Sequence, residues 1–416
     1  MNLIIIILIF VIDITMSQLN YLYHSVETEN VKDTYTEYDT VDFNLDFSNR
    51  ALVCGSVRLE GEVEILTSGP ARLSGGERLS NDSSIGAHHY FSSCVTTIQQ
   101  VGIIENATEL PRYAKMETAT SLIDNDMLQS KYVCELRSPA EEIQWTLMQP
   151  LCPTDLGGGA TGTDINQHRG SGFCALAKYT GGNFNSTVFS DPDFSIKPYI
   201  ALNKVVGGNN ILNYTETGTV KLSFSLARNN EVLFGPDMDN HTYVLKNLRV
   251  CFVSVPPTPK PIPVNLRATL CLKSNVNSNL SNQSSRVPAI CDSVALSFLD
   301  LTHEVSQRFN NLALERPPNI AKMRFMFNDS TSKYISYELK TQVEIVAEGL
   351  KALSEGSTSN NVRLDTLNAN KGFVAGLKFG EQVPLQKQKF NVQIESGIKT
   401  ARPFLMFAYF KSLLTV

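Results

Sequence analysis

Apolar and polar residues alternate without interruption along "SVRLEGEVEI", residues 56–65. Val57, Leu59, Val63 and Ile65 take one set of positions and Arg58, Glu60, Glu62 and Glu64 the other. A period of two sends successive side chains to opposite faces of a strand, so this stretch predicts a ribbon with one apolar and one charged face. Gly61 stands in the apolar series and marks a bulge or the close approach of another backbone. The same period runs through "VDFNLDF", "TVKLSFSLA", "NLRATLCLK" and the Phe390, Val392, Ile394 series. In "AICDSVALSFL" large residues fall on one face and small ones on the other, while "RPFLMFAYFKSLLTV" is apolar on both. Both predict strands covered on two sides.

Helical spacing is rarer. "SPAEEIQWTLMQP" combines a capping box (Ser138, Glu141) with Pro139 at the first helical position and Pro150 as a stop, and predicts a short helix. Val305, Phe309 and Leu312 suggest another, and Leu339, Val343, Val346, Ala347 and Leu350 a third. "YFSSCVTTIQQVGII" reads as either strand or helix. The Gly-rich residues 155–172 read as a loop, and the proline series of "VPPTPKPIPV", 255–264, as an extended crossing or edge. Residues 17–40 are polar with scattered tyrosines and read as an N-terminal arm. No repeat recurs at a fixed period. Many strands, long polar loops and few helices predict an all-β, jelly-roll β-sandwich with an inserted mixed loop/helix region and a few short helices. The divisions are an apolar leader or upstream extension at 1–15, an arm at 16–40, and a body at 41–416 with an insertion around 91–190.

Composition narrows this picture. Of 416 residues 42% are hydrophobic, enough for a substantial core. The net charge of -5 gives no whole-protein basic footprint, so specific nucleic-acid binding is not signalled. The apolar run 3–12 is shorter than the roughly 20 residues of a spanning helix and resembles a signal-peptide core, but no Lys or Arg precedes it. Met16 is the alternative start. The eight cysteines make no C-x-x-C pair, and a chain of this size needs no disulfide framework, so reduced thiols are the favoured reading. Eight N-x-S/T sequons keep a secreted reading open.

Residues that could carry chemistry do not converge. The glycine loop lacks a G-K-[ST] ending, and "RGSGF" lacks the first Gly of a nucleophile elbow. His88-His89 has no further ligand at metal spacing and reads as a turn or sheet rim. Asp237, Asp239 and His241 alternate, but within turn chemistry. Lys387, Lys389, Lys399 and Arg402 make the terminal region basic. No catalytic residue, cofactor site or metal site is predicted, and the protein is read as a non-enzyme.

In order along the chain, "SVRLEGEVEI", "SSIGAHHY", "CELRSP", "DFSIKPYIALN", "VKLSFSLARN", "YVLKNLRV", "VPAICDSVALSFL", "FMFNDSTSKYISYELKTQVEI", "NKGFVAGLKF", "KFNVQIESG" and "FLMFAYFKSLL" resemble segments of the minor capsid (penton) proteins of Polinton/Maverick-type elements and adintoviruses. The resemblance spans about residues 41–416. It implies a virion protein with a single jelly roll, assembled inside the host cell, five copies of which close an icosahedral vertex. Its neighbours would be trimers of a double-jelly-roll major capsid protein. Arg169-Gly170 is followed by Ser171, so the integrin-binding Arg-Gly-Asp of some related pentons is not carried over, and a fibre or receptor is left unassigned. The apolar leader departs from the family pattern. On this reading the face of Arg58, Glu60, Glu62 and Glu64 is a subunit-interface candidate. The alternative is a secreted or surface β-sandwich binding glycoprotein.

Overall fold

The computed structural model describes residues 20–30, 32–66, 82, 85–120, 135–136, 193–234, 242–260, 262–276, 285–286, 290–304, 310–317, 320–328, 334–353, 373–384, 389–396 and 403–416. Their strands fall into two groups. The first comprises β1 (Leu22–Glu27), β2 (Thr34–Tyr35), β3 (Thr40–Leu45), β4 (Ala51–Val53), β5 (Arg58–Leu66), β6 (Phe91–Ile98), β7 (Gly102–Thr108), β8 (Asp193–Ile196), β9 (Ile211–Asn213), β10 (Val220–Leu226) and β11 (Thr242–Val255). The second comprises β12 (Asn265–Val276), β13 (Ser285–Arg286), β14 (Ile290–Asp300), β15 (Ile320–Asn328), β16 (Tyr334–Leu339), β17 (Ala375–Pro384), β18 (Lys389–Ser396) and β19 (Phe404–Thr415).

Strand order shows the architecture. In the second group one sheet runs β12-β19-β14-β17 and the other β13-β18-β15-β16. In the first, β1-β11-β5-β8 and β3-β10-β6-β7 correspond to these strand for strand, with β2, β4 and β9 as short additions. All pairings are antiparallel, and this wiring is the jelly roll. The fold is all-β as expected, but the wiring occurs twice where the resemblance implied one copy. Alternation reports a two-faced strand and not its partner, so both halves read as one long sandwich. The proline segment 256–264 joins them. Its prolines have no amide proton to give a ladder, so pairing resumes only at its end, where Val264 and Val416 exchange backbone hydrogen bonds at 2.9 Å, and the rest serves as the crossing between the two sandwiches.

Three boundaries differ from expectation. The arm at 16–40 contains β1, which pairs along its length with β11 from Leu22↔Ser254 to Glu27↔Arg249. Its outer positions are exposed, so no apolar period announces it. The insertion around 91–190 begins inside the sandwich. Residues 91–108 are β6 and β7, where a turn at 99–101 joins two paired strands, and the predicted helix at 138–150 lies outside the described residues. The later helix, α2 (Gln342–Leu353), starts at Gln342, because Leu339 still belongs to β16. Thr341 Oγ1 accepts the Glu344 amide at 3.2 Å, and Glu344 Oε2 accepts those of Lys340 and Thr341, which fixes that start. The buried stripe is Ile345, Val346, Gly349, Ala352 and Leu353, and Val343 is 60% exposed. A Cβ on Gly349 would lie 2.8 Å from the Val374 carbonyl oxygen, so only glycine lets α2 come this close to the chain entering β17. Of the helix expected over Val305, Phe309 and Leu312, one turn is described at Leu301–Glu304; Val305 and Phe309 lie outside the described residues, and Leu312 sits in a non-helical turn after Asn310.

Each sandwich has its own core, with Phe43, Leu59, Val63 and Phe224 in the first and Val294, Phe298, Phe325 and Phe410 in the second. Between them sits α1 (Leu110–Thr120), a helix that follows β7. Its Tyr113 and Met116 pack with Leu405, Phe407 and Tyr409 of β19. Its cations are buried too. The Arg112 guanidinium lies 4.1 Å above the Phe407 ring and donates to the carbonyls of Asn311 and Ala313. Lys115 Nζ meets both Asp82 carboxylate oxygens at 2.9 and 2.7 Å, and Asn310 Nδ2 donates to the same carboxylate at 2.7 Å. One step away, Glu105 of β7 accepts the Ala201 amide at 2.6 Å and the Thr269 amide of β12 at 2.9 Å. Lys204 Nζ donates to Thr269 Oγ1 at 3.1 Å and lies 4.0 Å from the Tyr113 ring centre. Burial raises the Glu105 carboxyl above its ordinary range, against the pull of Lys204 and the two amides.

Glu105→Ala would leave two buried amides without an acceptor and remove the carboxylate that attracts Lys204. We expect a loss of about 3–5 kcal/mol in urea unfolding, with the two sandwiches melting separately by calorimetry; one unchanged cooperative transition would contradict this role.

The same seam sets an acid response. His89 is fully buried in a short 3-10 helix, Gly86–Tyr90, and burial lowers its pKa from 6.5 to about 4 against the pull of Asp82. At Asp82 burial opposes ionisation, but Lys115, His89 and Asn310 outweigh it and hold the carboxyl well below the carboxylate range. The unfolded chain therefore takes up the His89 proton first, and stability falls as pH drops from 6.5 toward 4. The Asp82 contribution persists there and is lost only at lower pH. The expected fall is about 3 kcal/mol across that window; His89→Gln should flatten it in a pH series of denaturation midpoints.

Candidate functional site

The charged ribbon lies where its period placed it. In β5 the residues Leu59, Gly61, Val63 and Ile65 are buried, and Arg58, Glu60, Glu62 and Glu64 are half-buried on the other face. β5 is an inner strand between β8 and β11, and its charges are tied to those neighbours. Arg58 donates to the Ser195 hydroxyl at 2.8 Å and carbonyl at 2.7 Å. Arg249 Nε meets Glu60 Oε2 at 2.9 Å, Asn247 Nδ2 donates to Glu62 at 2.7 Å, and Lys246 Nζ meets Glu64 at 2.5 Å. Burial alone would raise the Glu60 carboxyl; Arg249, Cys251 and Ser195 outweigh it and hold the group below its ordinary range.

Gly61 faces an irregularity in β11, whose register slips between Lys246 and Arg249 and where Asn247 adopts a φ of 51°. A Cβ at Gly61 would lie 2.6 Å from Leu248 Cδ2 and 3.0 Å from the Lys246 carbonyl oxygen. The gap in the apolar series thus receives the Leu248 side chain, and with it the bulge expected from sequence, on the facing strand.

Above this face opens a groove of about 1050 Å³. Its floor is β5 and β11, and its walls are β8 and the segment that follows β1. Glu27, Asp33, Glu60, Glu62 and Asp193 line it, with Lys32, Lys246 and Arg249 as the cations. Of the predicted face it brings in Glu60 and Glu62; Arg58 and Glu64 lie outside its lining. The contribution of β1 to this wall was not legible, because its residues carry no alternation.

Among the described residues the remaining candidates do not assemble into a reaction centre. His88 and His89, read as a turn or rim, are in a turn of helix but buried, His88 beside Glu135 at 3.4 Å and against the Tyr199 ring. They are packed between the sandwiches because the chain enters β6 from the seam. Residues 155–172, the 237–241 acidic turn, Lys387, Lys399 and Arg402 lie outside the described residues. Among the described residues no group of three His, Cys, Asp or Glu side chains could hold a metal. Cys54, Cys94, Cys251, Cys271 and Cys291 are free thiols, and burial pushes Cys54 and Cys291 up to about 12.

What the geometry defines is a class of fold: two jelly rolls of the same wiring in one chain, fixed side by side. That class has solved members. VP54 of PBCV-1, as fitted into the virophage Sputnik, aligns with a TM-score of 0.55 at 9% identity over 95% of both chains. The Faustovirus major capsid protein aligns at 0.53 and 9%, over 95% of this chain and 90% of its own. A chain of the Sputnik virophage particle aligns at 0.53 and 11%, over 95% and 88%. At these identities the likeness is one of fold. No family model and no curated protein matches the sequence.

Val63→Asp should cost about 3–5 kcal/mol by placing an unpaired charge in the first core, whereas Glu62→Lys should cost about 1 kcal/mol or less. Equal losses in chemical denaturation would mean that β5 does not face as described.

Proposed function

We propose that this chain is a structural subunit of a viral capsid, of the double-jelly-roll kind that builds the shell. The observation that carries the reading is the repeated jelly roll held in one fixed orientation by a buried seam. A vertex subunit, which the sequence resemblance implied, uses a single jelly roll and closes a ring of five. Two linked sandwiches per chain instead suit a trimer, in which three copies present six similar blocks and tile a shell around the vertices. The solved capsid proteins that share the fold over nearly the whole chain support a place in the virion. The apolar cores of the two sandwiches, with free thiols among the described residues, are in keeping with a scaffold role.

The secreted alternative has less support. The Asn213 sequon is only 4% exposed, and its amide donates to Thr258 Oγ1 at 3.0 Å while its carbonyl accepts the Thr258 amide at 3.0 Å. A glycan there is incompatible with the fold.

Sedimentation equilibrium of the purified chain, with electron microscopy of the product, tests the reading. Three copies per particle and hexagon-outlined rings are the expected result. A five-membered ring would restore the vertex role, and a monomer under all assembly conditions would remove the capsid reading.

A further inference from the structure

Three side chains from distant parts of the sequence meet at the seam: Asp82, just before the Gly86–Tyr90 turn, Lys115 on α1, and Asn310 between β14 and β15. They are 0%, 2% and 8% exposed. The Lys115 ammonium and the Asn310 carboxamide donate to the same oxygen, Asp82 Oδ2, at 2.7 Å each. Asp82 Oδ1 accepts a further hydrogen bond from Lys115 at 2.9 Å. The Asn310 side-chain carbonyl in turn accepts the Leu312 amide at 3.0 Å. Ile85, Ala114 and Leu312, each close in sequence to one of the three, pack together as a buried apolar cluster. The other buried lysines of the seam have different partners: Lys204 donates to the Thr269 hydroxyl and Lys411 to the Leu353 backbone carbonyl. An amine, a carboxamide and a shared carboxylate, shielded from water, are the parts of an amide exchange. An ammonium is no nucleophile and a carboxamide carbon is a weak electrophile, and this site acts on both. Asp82 is held ionised, as a base must be. Desolvation lowers the cost of moving a proton to it from Lys115, because that transfer removes two buried charges. The Leu312 amide polarises the Asn310 carbonyl and sits where a tetrahedral intermediate would carry its negative oxygen.

We propose that the folded chain joins Lys115 to Asn310 by an isopeptide bond, with Asp82 as the base. Lys115 Nζ gives one proton to Asp82 and attacks Asn310 Cγ. The lysine's flexible four-carbon stem supplies the closing movement to the roughly 3–3.5 Å of a reacting pair. The Cγ–Nδ2 bond breaks and ammonia leaves. Of the three protons on the ammonium, one stays on the new amide nitrogen, one departs on ammonia with the two already on Nδ2, and one remains on Asp82. No oxidant, reductant or second substrate enters. The product ties α1 of the first half to the β14–β15 connection of the second, a covalent link between the sandwiches besides the proline crossing. It also replaces a buried ion pair, which adds little stability of its own, with a neutral amide. The inference is independent of the capsid reading.

The experiment is intact-mass spectrometry of the full-length chain, denatured after purification in the folded state, together with tryptic peptide mapping. The wild type should be lighter by one ammonia than its composition requires, and its digest should contain a branched peptide joining Lys115 to Asn310. Asn310→Ala keeps the Lys115–Asp82 pair, so it should fold normally by circular dichroism and show its full mass. Asp82→Asn should form the bond at least about a hundredfold more slowly in a time course after refolding. A folded wild type that retains its full mass through prolonged incubation would overturn the proposal. So would an ammonia deficit that maps elsewhere in the chain, such as a cyclised asparagine, or a branched peptide that forms as fast in Asp82→Asn, which would remove Asp82 as the base. A negative result leaves the capsid reading standing, because that reading rests on the repeated jelly roll.

Discussion

The Glu105 carboxylate accepts one amide from the short helical turn after β8 of the first jelly roll and one from the first strand of the second. Everything that depends on a constant relation between the two sandwiches depends on contacts of this kind. A greasy interface would tolerate sliding, because dispersion contacts are non-directional. Hydrogen bonds to a buried carboxylate are directional, and leaving either amide unmet is costly. The Lys115, Asp82 and Asn310 cluster and the Arg112 stack on Phe407 repeat the device at α1, each time joining residues from both halves. Buried ion pairs add little to stability compared with an apolar core, so geometric definition is what this seam supplies.

On the proposed capsid role that definition matters. A subunit whose two blocks could rotate would not present one fixed set of surfaces to its neighbours. With the blocks locked, the groove beside β1 and the second sandwich are held in one relation. The proline crossing at 256–263 alone would not achieve this, since its prolines offer no amide proton to a ladder.

The seam is also where sequence reasoning was weakest. Helix α1 carries Pro111 in its first turn, a legitimate start signal, but it is buried on nearly every side and contains Arg112 and Lys115. A helix that buries cations shows no apolar stripe, so periodicity passes it by. The paired histidines looked exposed for the same reason: polar residues are read as solvated unless their partners, here Asp82 and Glu135, are known to be near. By contrast β5, β10, β14 and β19 lie where their patterns placed them, down to the two-sided burial of β14 and β19. Gly61 was identified as the site of a close approach, and the approaching residue, Leu248 from a bulge 187 positions away in the chain, was not.

The amino-acid order by itself determined which segments are strands, which face of each is apolar, and that the fold is a β-sandwich, because a period of two is a local property of the chain. It also determined the charge of each face. Pairing is not local. Which strand lies beside which, and so whether there is one jelly roll or two, depends on the registers that close ladders across the chain and on the amides of Ala201 and Thr269 finding one carboxylate. Those distances exist only once the chain has folded, and they decide that the acidic ribbon becomes the floor of a groove and not simply a solvated edge.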